Sequence, residues 1–430
     1  MKYDLTIGIP VYNPDIGMFK LVLNNLLHAT KDLKNHEVIL GIQECSEETW
    51  DYIYECKKIS DAIHPVQYDK SISTRAKNRT ELMKMAQGEV VILIDQDVSM
   101  SKDLIYEHQR VHKEYDNAYV AGKVYNRIEL NNENQEFMDT HNLNNVSVLE
   151  EEMKKVPCMI DPRLEFYKEN PHYEDVTKYN GCWRHFWSCN ISFRKEFIDR
   201  IGYFDNEFLG WGVEDDELAF RAYNMDSTMI FSFGAWGFHY PHPIDYLGNH
   251  NDWLRNMRVF KRKAKNIEVE CYSVFMSRFD FGFDACRNSF NTLKGTPNLD
   301  FLIKRYNSNG NKPTLSLYIN NHFSSDKINF DYNINPLLTK SKQENGCYHL
   351  SSIGINTMFQ DKEIEDTVVI LDYLFYVDII LRPLILLELG RISQNIIAYK
   401  SPFFSKGHNS ENARRIYEIL NSLNANVNYI

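Results

Sequence analysis

The sequence predicts an α/β protein with a mixed, mainly parallel sheet, helices on both faces of that sheet, and a smaller α/β unit in the C-terminal part. Strand and helix patterns alternate through the first hundred residues, which is typical of a parallel sheet covered on both faces. The chain has 430 residues, 43% hydrophobic and 13% aromatic, enough for more than one packed core.

The first six elements follow from hydrophobic periodicity. In chain order the patterns predict a strand at 4–12, a helix at 18–29, a strand at 36–42, helices at 47–59 and 73–87, and an apolar strand at 89–95. Because ligands bind at the carboxyl ends of such strands, the polar residues there are the first candidates for a site.

A polar segment, residues 126–180, interrupts this alternation. It is rich in Asn and Glu and weakly periodic. Beside a site, such a segment is either an acceptor loop or lid, or a surface excursion, and both alternatives stay open. The segment CWRHFWSCN after it is predicted to return to the sheet, with Trp183, Arg184, His185 and Trp187 near the pocket.

The domain boundary is predicted near residue 265, so that residues 1–265 form the larger domain and residues 266–430 the smaller one. In the smaller domain, the apolar run at 367–390 is interrupted by two aspartates, an arginine and a proline. These interruptions favour a buried helix over a membrane span. The smaller domain has no glycine-rich cofactor loop, and we expect no cofactor there.

Charge and cysteine usage exclude some classes of function. With 48 basic and 59 acidic residues the formal net charge is -11, which disfavours nucleic acid as a partner. The eight cysteines are scattered without a C-x-x-C pair, as in proteins with free thiols. The N-terminus begins as a strand and does not resemble a signal peptide, so we expect a cytoplasmic protein.

Two acidic motifs stand out. Asp95 and Asp97 flank Gln96 directly after an apolar strand, where they can converge on a divalent cation, although an Asp-rich capping turn is the alternative. The stretch FLGWGVEDDELAFRAYN carries four consecutive acids at 214–217. A solvated first helical turn explains Asp216 and Glu217, since acids suit a helix N-terminus.

The same explanation leaves the Trp211-Gly212 pair before these acids unexplained. Glycine lets the backbone approach a ligand, and tryptophan offers a flat apolar face that suits a sugar ring.

Five ordered motifs together resemble GT-A fold, nucleotide-sugar glycosyltransferases: TIGIPVYN, GIQECSEET, the segment STRAKNRTELMKMAQ with EVVILIDQDVSM, WSCNISFRKEF and GWGVEDDELAFRAY. The resemblance is to family-2-like enzymes of the chondroitin-synthase and polypeptide GalNAc-transferase branch, and it covers about residues 3–245. It implies a metal-dependent transferase that uses a UDP-sugar. The alternative is a non-catalytic carbohydrate-binding or scaffolding protein on a decayed transferase fold.

The resemblance also implies a donor site. In it, the nucleotide base is held by Pro10, Tyr12 and Asn13, and Glu44 is an acid against the uracil. An A-R-N element near the diphosphate is matched by Lys77 and Asn78. The family often reads D-D-G-S where this chain reads Q-E-C-S.

The metal and the chemistry follow from the same resemblance. Asp97 is expected to ligate Mn²⁺ or Mg²⁺ directly, and Asp95 to bind the ribose, the metal or a metal-bound water. His239 is the third ligand, with His242 as the alternative, since neutral imidazole ligates Mn²⁺ beside carboxylates.

The acidic motif corresponds to the family's W-G-x-E-D-x-E element. Asp215 is then the base that takes the acceptor proton, Glu214 contacts acceptor or sugar hydroxyls, and Trp211 forms a wall of the sugar pocket. The Glu-Asp pair favours inversion, because retaining relatives read Glu-Asn; a retaining mechanism is the alternative.

The acceptor is not determined by the sequence. Bacterial surface glycan, lipid-linked glycan and peptide acceptors all stay open, as do peripheral membrane contact and a homodimer. For residues 266–430 we expect acceptor binding or dimerisation.

Overall fold

The computed structural model describes residues 2–69, 74–126, 131–167, 174–179, 181–274, 315–317, 332–334, 342–344, 347–350, 354–355, 357–371, 374, 381–400 and 410–429. The chain divides into two compact units, Met1–Asn256 and Met257–Ile430. The boundary predicted from the sequence, at residue 265, lies just past the end of the helix in which this division falls.

The first unit contains eight named strands and ten α-helices among its described residues. Its strands are β1 (Tyr3–Tyr12), β2 (His36–Glu44), β3 (Ile63–Gln67), β4 (Gly88–Ile94), β5 (Val98–Met100), β6 (Ala118–Tyr125), β7 (Asn190–Arg194) and β8 (Thr228–His239). Its helices are α1 (Ile16–Thr30), α2 (Glu47–Ile59), α3 (Arg75–Met85), α4 (Leu104–Glu114), α5 (Asn132–Thr140), α6 (Glu150–Met153), α7 (Arg163–Tyr167), α8 (Lys195–Ile201), α9 (Glu214–Tyr223) and α10 (Tyr246–Ala264), the last of which continues into the second unit. All six elements predicted for the first 95 residues are confirmed.

The strands form one mixed sheet in the order β3-β2-β1-β4-β7-β6-β8-β5. β1 to β4 are parallel, as are β6 and β8, whereas β7 is antiparallel to both of its neighbours and β5 is antiparallel to β8. The predicted mixed sheet is therefore confirmed. β3 contains Pro65 and lies at the edge, where a missing backbone donor is tolerated.

Helix starts in this unit follow their capping residues. Ser46 accepts the backbone N–H of Thr49 at the start of α2, and Thr74 accepts that of Lys77 at the start of α3. α3 packs against β1 and β2, and α4 packs against β6 and β8.

The described parts of the 126–180 segment pack onto the sheet. Five of its apolar side chains are buried together with Tyr125, Trp236 and Phe238 of the strands. These side chains belong to Phe137, Val146, Leu149, Met153 and Met159. The surface-excursion alternative is therefore wrong for these residues, because they form part of the core; the acceptor role of the segment stays a prediction.

A buried ion pair holds the same segment in place. Asp161 and Arg163 pair at 2.7 Å, with both side chains almost fully buried. The Asp161 carboxylate accepts the Val124 N–H at 2.9 Å, and Arg163 donates to the carbonyls of Gly122 and His185, each at 2.8 Å. With all these polar groups satisfied, the pair ties the segment to β6 and to the chain that leads into β7.

A buried histidine network lies beneath β7. The Ser192 hydroxyl is 2.8 Å from His108 Nδ1 and 2.8 Å from His112 Nε2, while His108 Nε2 is 2.9 Å from Asn190 Oδ1. Burial lowers the pKa of His108 to about 4 and the pKa of His112 to about 3. Both rings are therefore held in the neutral form.

We expect this network to make the protein sensitive to acid. Both pKa values lie below the ordinary value near 6.5, so the stabilisation is complete above about pH 6.5 and is lost as the pH falls towards 4. Urea unfolding between pH 7 and pH 5 should show a falling free energy of unfolding. His108→Gln should lower the number of protons that the chain takes up on unfolding by about one, which reduces the slope of the free energy of unfolding against pH. Equal slopes for the parent and His108→Gln would contradict the prediction.

The second unit is a smaller α/β arrangement, as predicted. Its strands are β9 (Leu315–Leu317), β10 (Tyr332–Ile334), β11 (Lys342–Glu344), β12 (Cys347–Leu350), β13 (Ile364–Ile370), β14 (Ser393–Lys400) and β15 (Asn426–Tyr429), and its further helices are α11 (Ile267–Val274), α12 (Arg382–Ile392) and α13 (Ser410–Ser422). The sheet order is β11-β12-β10-β9-β13-β14-β15, and every pairing is parallel except that of β11 with β12.

The apolar run at 367–390 is not the single buried helix that the sequence analysis predicted. Its first residues belong to β13, and α12 begins only at Arg382. The β-branched run Thr-Val-Val-Ile favours a strand, and Pro383 suits the first turn of a helix. No helix within the described ranges is long and apolar enough to cross a membrane.

The sequence predicts free thiols, and the structure describes the side chains of six of the eight cysteines. The six cysteines whose side chains the structure describes are free thiols, four of them buried. They are Cys45, Cys56, Cys158, Cys182, Cys189 and Cys271.

Candidate active site

The middle residue of the Asp-Gln-Asp motif joins the ends of β1 and β4. Gln96 Oε1 accepts the Tyr12 N–H at 2.7 Å, and Gln96 Nε2 donates to the Tyr12 carbonyl at 3.0 Å. This reciprocal pair fixes the base-binding loop predicted after β1 beside the predicted metal ligands. Gln96 is not among the residues predicted from the sequence, because nothing local to its motif shows that β1 ends beside it.

Asp97 lies with two histidines at the end of β8. Its carboxylate oxygens are each 3.7 Å from a ring nitrogen, Oδ1 from His239 Nε2 and Oδ2 from His242 Nε2. The β5–β8 pairing, which sets Val98 opposite His239, creates this proximity, together with a 2.8 Å hydrogen bond from the Tyr240 N–H to the Asp97 carbonyl. His239 and His242, which are alternatives on sequence grounds, therefore both lie beside Asp97.

These three side chains fit a divalent cation. One possible ligand atom from each lies within 4.8 Å of the others. The Asp97 side chain is only 14% exposed, and within the described part of the chain its buried Oδ1 has no hydrogen-bond partner. A buried carboxylate oxygen without a donor is costly unless a cation is bound to it, and oxygen with imidazole nitrogen suits Mn²⁺. Asp95 does not belong to this group.

Asp95 is instead held by a buried arginine. Arg79 Nη2 donates to Asp95 Oδ1 at 2.8 Å, and Nη1 of the same guanidinium donates to Glu214 Oε1 at 3.3 Å. Lys77 and Asn78 of this helix are predicted site residues, whereas Arg79 is not among the residues predicted from the sequence. The sequence predicts the role of Arg79 only in part. An arginine on the sheet-facing side of a helix is buried, and a buried arginine needs an acidic partner, but the sequence does not show which acid that is.

The two acids on Arg79 differ in pKa direction. Burial would raise the pKa of Asp95, but the charge of Arg79 and its hydrogen bond outweigh burial and hold that pKa below its ordinary value. Burial, followed by the charge of Asp215, raises the pKa of Glu214, and Arg79 opposes this rise. The shared cation thus favours the charged form of both carboxylates.

Asp215 is half-buried at the start of α9 and is held by the chain before β7. Its Oδ2 accepts the backbone N–H of Ser188 at 3.0 Å and the Ser188 hydroxyl at 3.2 Å. The next carbonyl, that of Cys189, accepts the Asp95 N–H at 3.2 Å. The segment 188–189 therefore sets the predicted base beside the Asp-Gln-Asp motif. Ser188 carried no signal in the sequence.

Asp216 and Glu217 are not the solvated helix turn that the sequence analysis predicted. Both side chains are buried. Glu217 accepts two hydrogen bonds from Arg221, at 2.8 and 2.9 Å, and Arg221 also donates to the carbonyl of Tyr203 at 2.6 Å. The error has a simple physical cause: α9 begins inside the domain, where Glu214 contacts Arg79 and Glu217 contacts Arg221.

Helix α10 fixes the loop that carries Trp211. Asp252 Oδ2 accepts the Trp211 N–H at 3.0 Å, and Asn256 Nδ2 donates to the carbonyls of Trp211 and Gly212 at 3.2 and 3.0 Å. Gly210 and Gly212 have φ values of 69° and 98°, a region that favours glycine. A Cβ at Gly210 would lie 1.8 Å from Asp252 Oδ2. Half-buried Trp211 thus has a rigid support.

The predicted base-binding residues meet at neighbouring strand ends. Pro10 pairs with Gly41 of β2, and the Asn13 N–H donates to the Glu44 carbonyl at 2.7 Å. Tyr12 is 53% exposed, and the Glu44 side chain is also exposed. These side chains are open to a ligand at the edge where the sequence analysis placed the nucleotide base.

The residues predicted near the diphosphate differ in accessibility. Asn78 is buried, and its side-chain amide donates to the Gly41 carbonyl at 3.1 Å, so it supports β2 and offers a ligand no surface. Lys77, half-buried in the first turn of α3, keeps part of its side chain exposed. The difference arises because adjacent positions on a helix face different sides.

The CWRHFWSCN segment does return to the sheet, as β7. Its four predicted pocket residues are buried: Trp183, Arg184, His185 and Trp187. His185 Nδ1 lies 2.6 Å from the Tyr167 hydroxyl, and the Trp183 ring packs edge-on against Phe220. These side chains support the site from within the domain.

Residues 6–201 match glycosyl transferase family 2, and residues 171–232 match the N-terminal domain of galactosyltransferase. The chain carries a family 2 glycosyltransferase domain. The site described above lies on the sheet of this domain and on the acidic helix that follows it. The mixed, Rossmann-like sheet confirms the predicted GT-A fold class.

Relatives of the glycosyltransferase domain include a validoxylamine A glucosyltransferase of Streptomyces hygroscopicus, 24% identical over 281 residues, which are 65% of each chain. The chondroitin synthase of Escherichia coli is 28% identical over 148 residues, 34% of this chain and 19% of that protein. The chain therefore spans less than two thirds of these glucosyltransferases: 65% of the one above and 60% of a second validoxylamine A glucosyltransferase from the same species.

Among solved structures, that of S. aureus TarS 1-349 in complex with UDP-GlcNAc has a TM-score of 0.45 at 14% identity, covering 67% of this chain and 72% of that one.

Proposed function

We propose that this chain is a metal-dependent glycosyltransferase that moves a sugar from a nucleotide sugar, a UDP-sugar, to a hydroxyl group of a glycan or peptide, with inversion. One observation carries the proposal: Asp97, His239 and His242 form a group that fits a cation at the ends of strands, and Ser188 and Cys189 tie the Asp215 carboxylate of α9 to the same Asp-Gln-Asp motif. A nucleotide sugar needs a cation for its diphosphate, and its acceptor needs a base.

The donor end of this site suits a uridine nucleotide. The exposed Glu44 carboxylate beside Tyr12 and Asn13 can accept the ring N–H of uracil, and the Tyr12 ring offers a face for stacking. Asp97, His239 and His242 would hold Mn²⁺ or Mg²⁺. Bound there, the cation supplies charge neutralisation for the diphosphate leaving group.

The acceptor end supplies the proton acceptor. The acceptor oxygen forms a bond to the anomeric carbon as the bond from that carbon to the phosphate oxygen breaks, and Asp215 takes the hydroxyl proton. The hydrogen bonds from Ser188 hold the carboxylate in one orientation. Glu214 would bind sugar or acceptor hydroxyls, and Trp211 would face the sugar ring. Relatives named as a glucosyltransferase and as chondroitin synthases support sugar transfer.

The alternative is a decayed transferase that only binds carbohydrate. The three-residue cation group and the held carboxylate favour an active enzyme, because decay removes selection for such arrangements. For residues 266–430 we propose acceptor binding or dimerisation.

A thermal-shift screen of nucleotide sugars, with and without Mn²⁺, separates the alternatives. A ligand at 100 times its Kd stabilises by about 2.7 kcal/mol, which amounts to several degrees in Tm. We expect a rise that needs both a UDP-sugar and Mn²⁺, followed by UDP release in a coupled assay. A rise with a UDP-sugar but no UDP release over any acceptor would favour the decayed transferase. No rise with any nucleotide sugar, with Mn²⁺ or Mg²⁺, would refute the proposal.

A further inference from the structure

We propose that Arg79 is a positioning residue that couples the donor side of the site to its acceptor side, by holding Asp95 and Glu214 on one guanidinium. This inference rests on the proposed function and adds Arg79 to the residues of the site.

The geometry places Arg79 between three separate elements. Arg79 lies in α3, Asp95 follows β4, and Glu214 begins α9, 135 residues further along the chain than Arg79. The guanidinium donates one Nη to each carboxylate, at 2.8 and 3.3 Å. Only the planar fork of an arginine supplies two fixed donors in this way, whereas the ammonium of a lysine is a single point charge.

Arg79 acts through its partners and does not contact a substrate itself. Its side chain is 5% exposed, against 25% for Asp95 and 7% for Glu214. Behind it the Phe204 ring lies 5.8 Å from the guanidinium carbon, and the neighbouring Thr80 hydroxyl donates to the Phe204 carbonyl at 2.9 Å. The guanidinium is therefore enclosed, with its two Nη atoms directed at the acids of the site.

The positive charge of Arg79 offsets the repulsion between the acids of the site. Asp95 and Glu214 both contact Arg79, and Asp215 follows Glu214 directly in α9. The incoming diphosphate adds further negative charge. Without a cation among them, the carboxylates would repel one another in a partly desolvated site. Arg79 fixes the relative position of the motif that meets the donor and the helix that meets the acceptor.

The first test measures the bridge without any substrate. Breaking a buried ion pair by removing one partner costs several kcal/mol, so Arg79→Met should lower Tm by roughly 6 °C or more. In an Asp95→Asn/Glu214→Gln background, the same substitution should lower Tm by less than half as much, because no carboxylate is left unpaired. Equal losses in the two backgrounds would overturn the bridge. This result does not depend on whether the protein transfers sugar.

The second test asks whether the bridge positions catalytic groups. Calorimetry with UDP and Mn²⁺ should give Arg79→Lys a Kd within about threefold of the parent, while UDP release from the best UDP-sugar falls about tenfold or more. The control Arg221→Lys alters another arginine that holds a glutamate of α9, and it should lower Tm while leaving turnover per folded protein near the parental value.

Two outcomes would count against different claims. If the affinity for UDP with Mn²⁺ falls in Arg79→Lys by the same factor as turnover, Arg79 has a merely structural role and the inference is overturned. If the parent itself binds no UDP with Mn²⁺, the proposed function fails, and the Tm comparison alone decides whether Arg79 bridges the two acids.

Discussion

Asp97→Ala is expected to abolish the Mn²⁺-dependent binding of UDP. The substitution removes the only carboxylate of the three-residue group and leaves two imidazoles, which cannot balance the charge of a divalent ion beside a diphosphate. Even the loss of a partner that only orients a metal ligand typically costs about 10- to 100-fold in affinity, so the loss of the ligand itself should cost more. Titration calorimetry of UDP with and without Mn²⁺ measures the effect.

The control for Asp97→Ala is Asp103→Ala. Asp103 precedes α4, its side chain makes no capping hydrogen bond, and it is exposed, so the same loss of charge nearby should leave binding unchanged. If Asp97→Ala binds UDP and Mn²⁺ as tightly as the parent, the ligand assignment is wrong.

His239→Ala and His242→Ala refine the same assignment. Both rings lie 3.7 Å from the Asp97 carboxylate, but the His239 side chain is 13% exposed and that of His242 is 46% exposed. The more enclosed ring of His239 loses less side-chain conformational freedom than that of His242 when it binds a cation. His239→Ala should therefore weaken Mn²⁺-dependent binding of UDP more than His242→Ala.

The fold could be predicted largely from the sequence, because local patterns and the parallel topology agree. β1, β2 and β4 have apolar runs that end in polar residues, and α2 has a serine cap and acidic first turn, so each element carried its own signal. The run at 367–390 was predicted wrongly because a short apolar stretch has no periodicity that separates strand from helix.

The site was predicted only where residue type and motif coincide. Asp97 and the two histidines could be found by resemblance, but Arg79, Ser188 and Gln96 act through contacts with residues distant in the sequence, such as the 135-residue separation of Arg79 from Glu214. No periodicity encodes such pairs. Asp216 and Glu217 show the opposite failure, since their local pattern suits an exposed helix start, and tertiary packing buries them.

Asp215→Asn should separate binding from chemistry. Asparagine keeps the size of the side chain and an oxygen that can accept the Ser188 hydrogen bonds, yet it cannot take the acceptor proton. We therefore expect the Kd for UDP with Mn²⁺ to stay close to the parental value, while turnover falls by about 10²- to 10⁴-fold, the usual range for loss of a general base. UDP release with acceptor present measures turnover, and calorimetry measures Kd.

The matched control for this prediction is Asp226→Asn, in the turn that follows the same helix. Asp226 is exposed and has a φ of 50°, which asparagine also adopts, so the same charge change should leave turnover near the parental value. Asp216, the neighbour in the motif, is unsuitable because it is buried. NMR of the product supplies the stereochemical result: a base on the acceptor side implies an anomeric configuration opposite to that of the donor. An Asp215→Asn enzyme within a few-fold of the parent would remove Asp215 as the base, and a product that retains the donor configuration would replace inversion by the retaining mechanism.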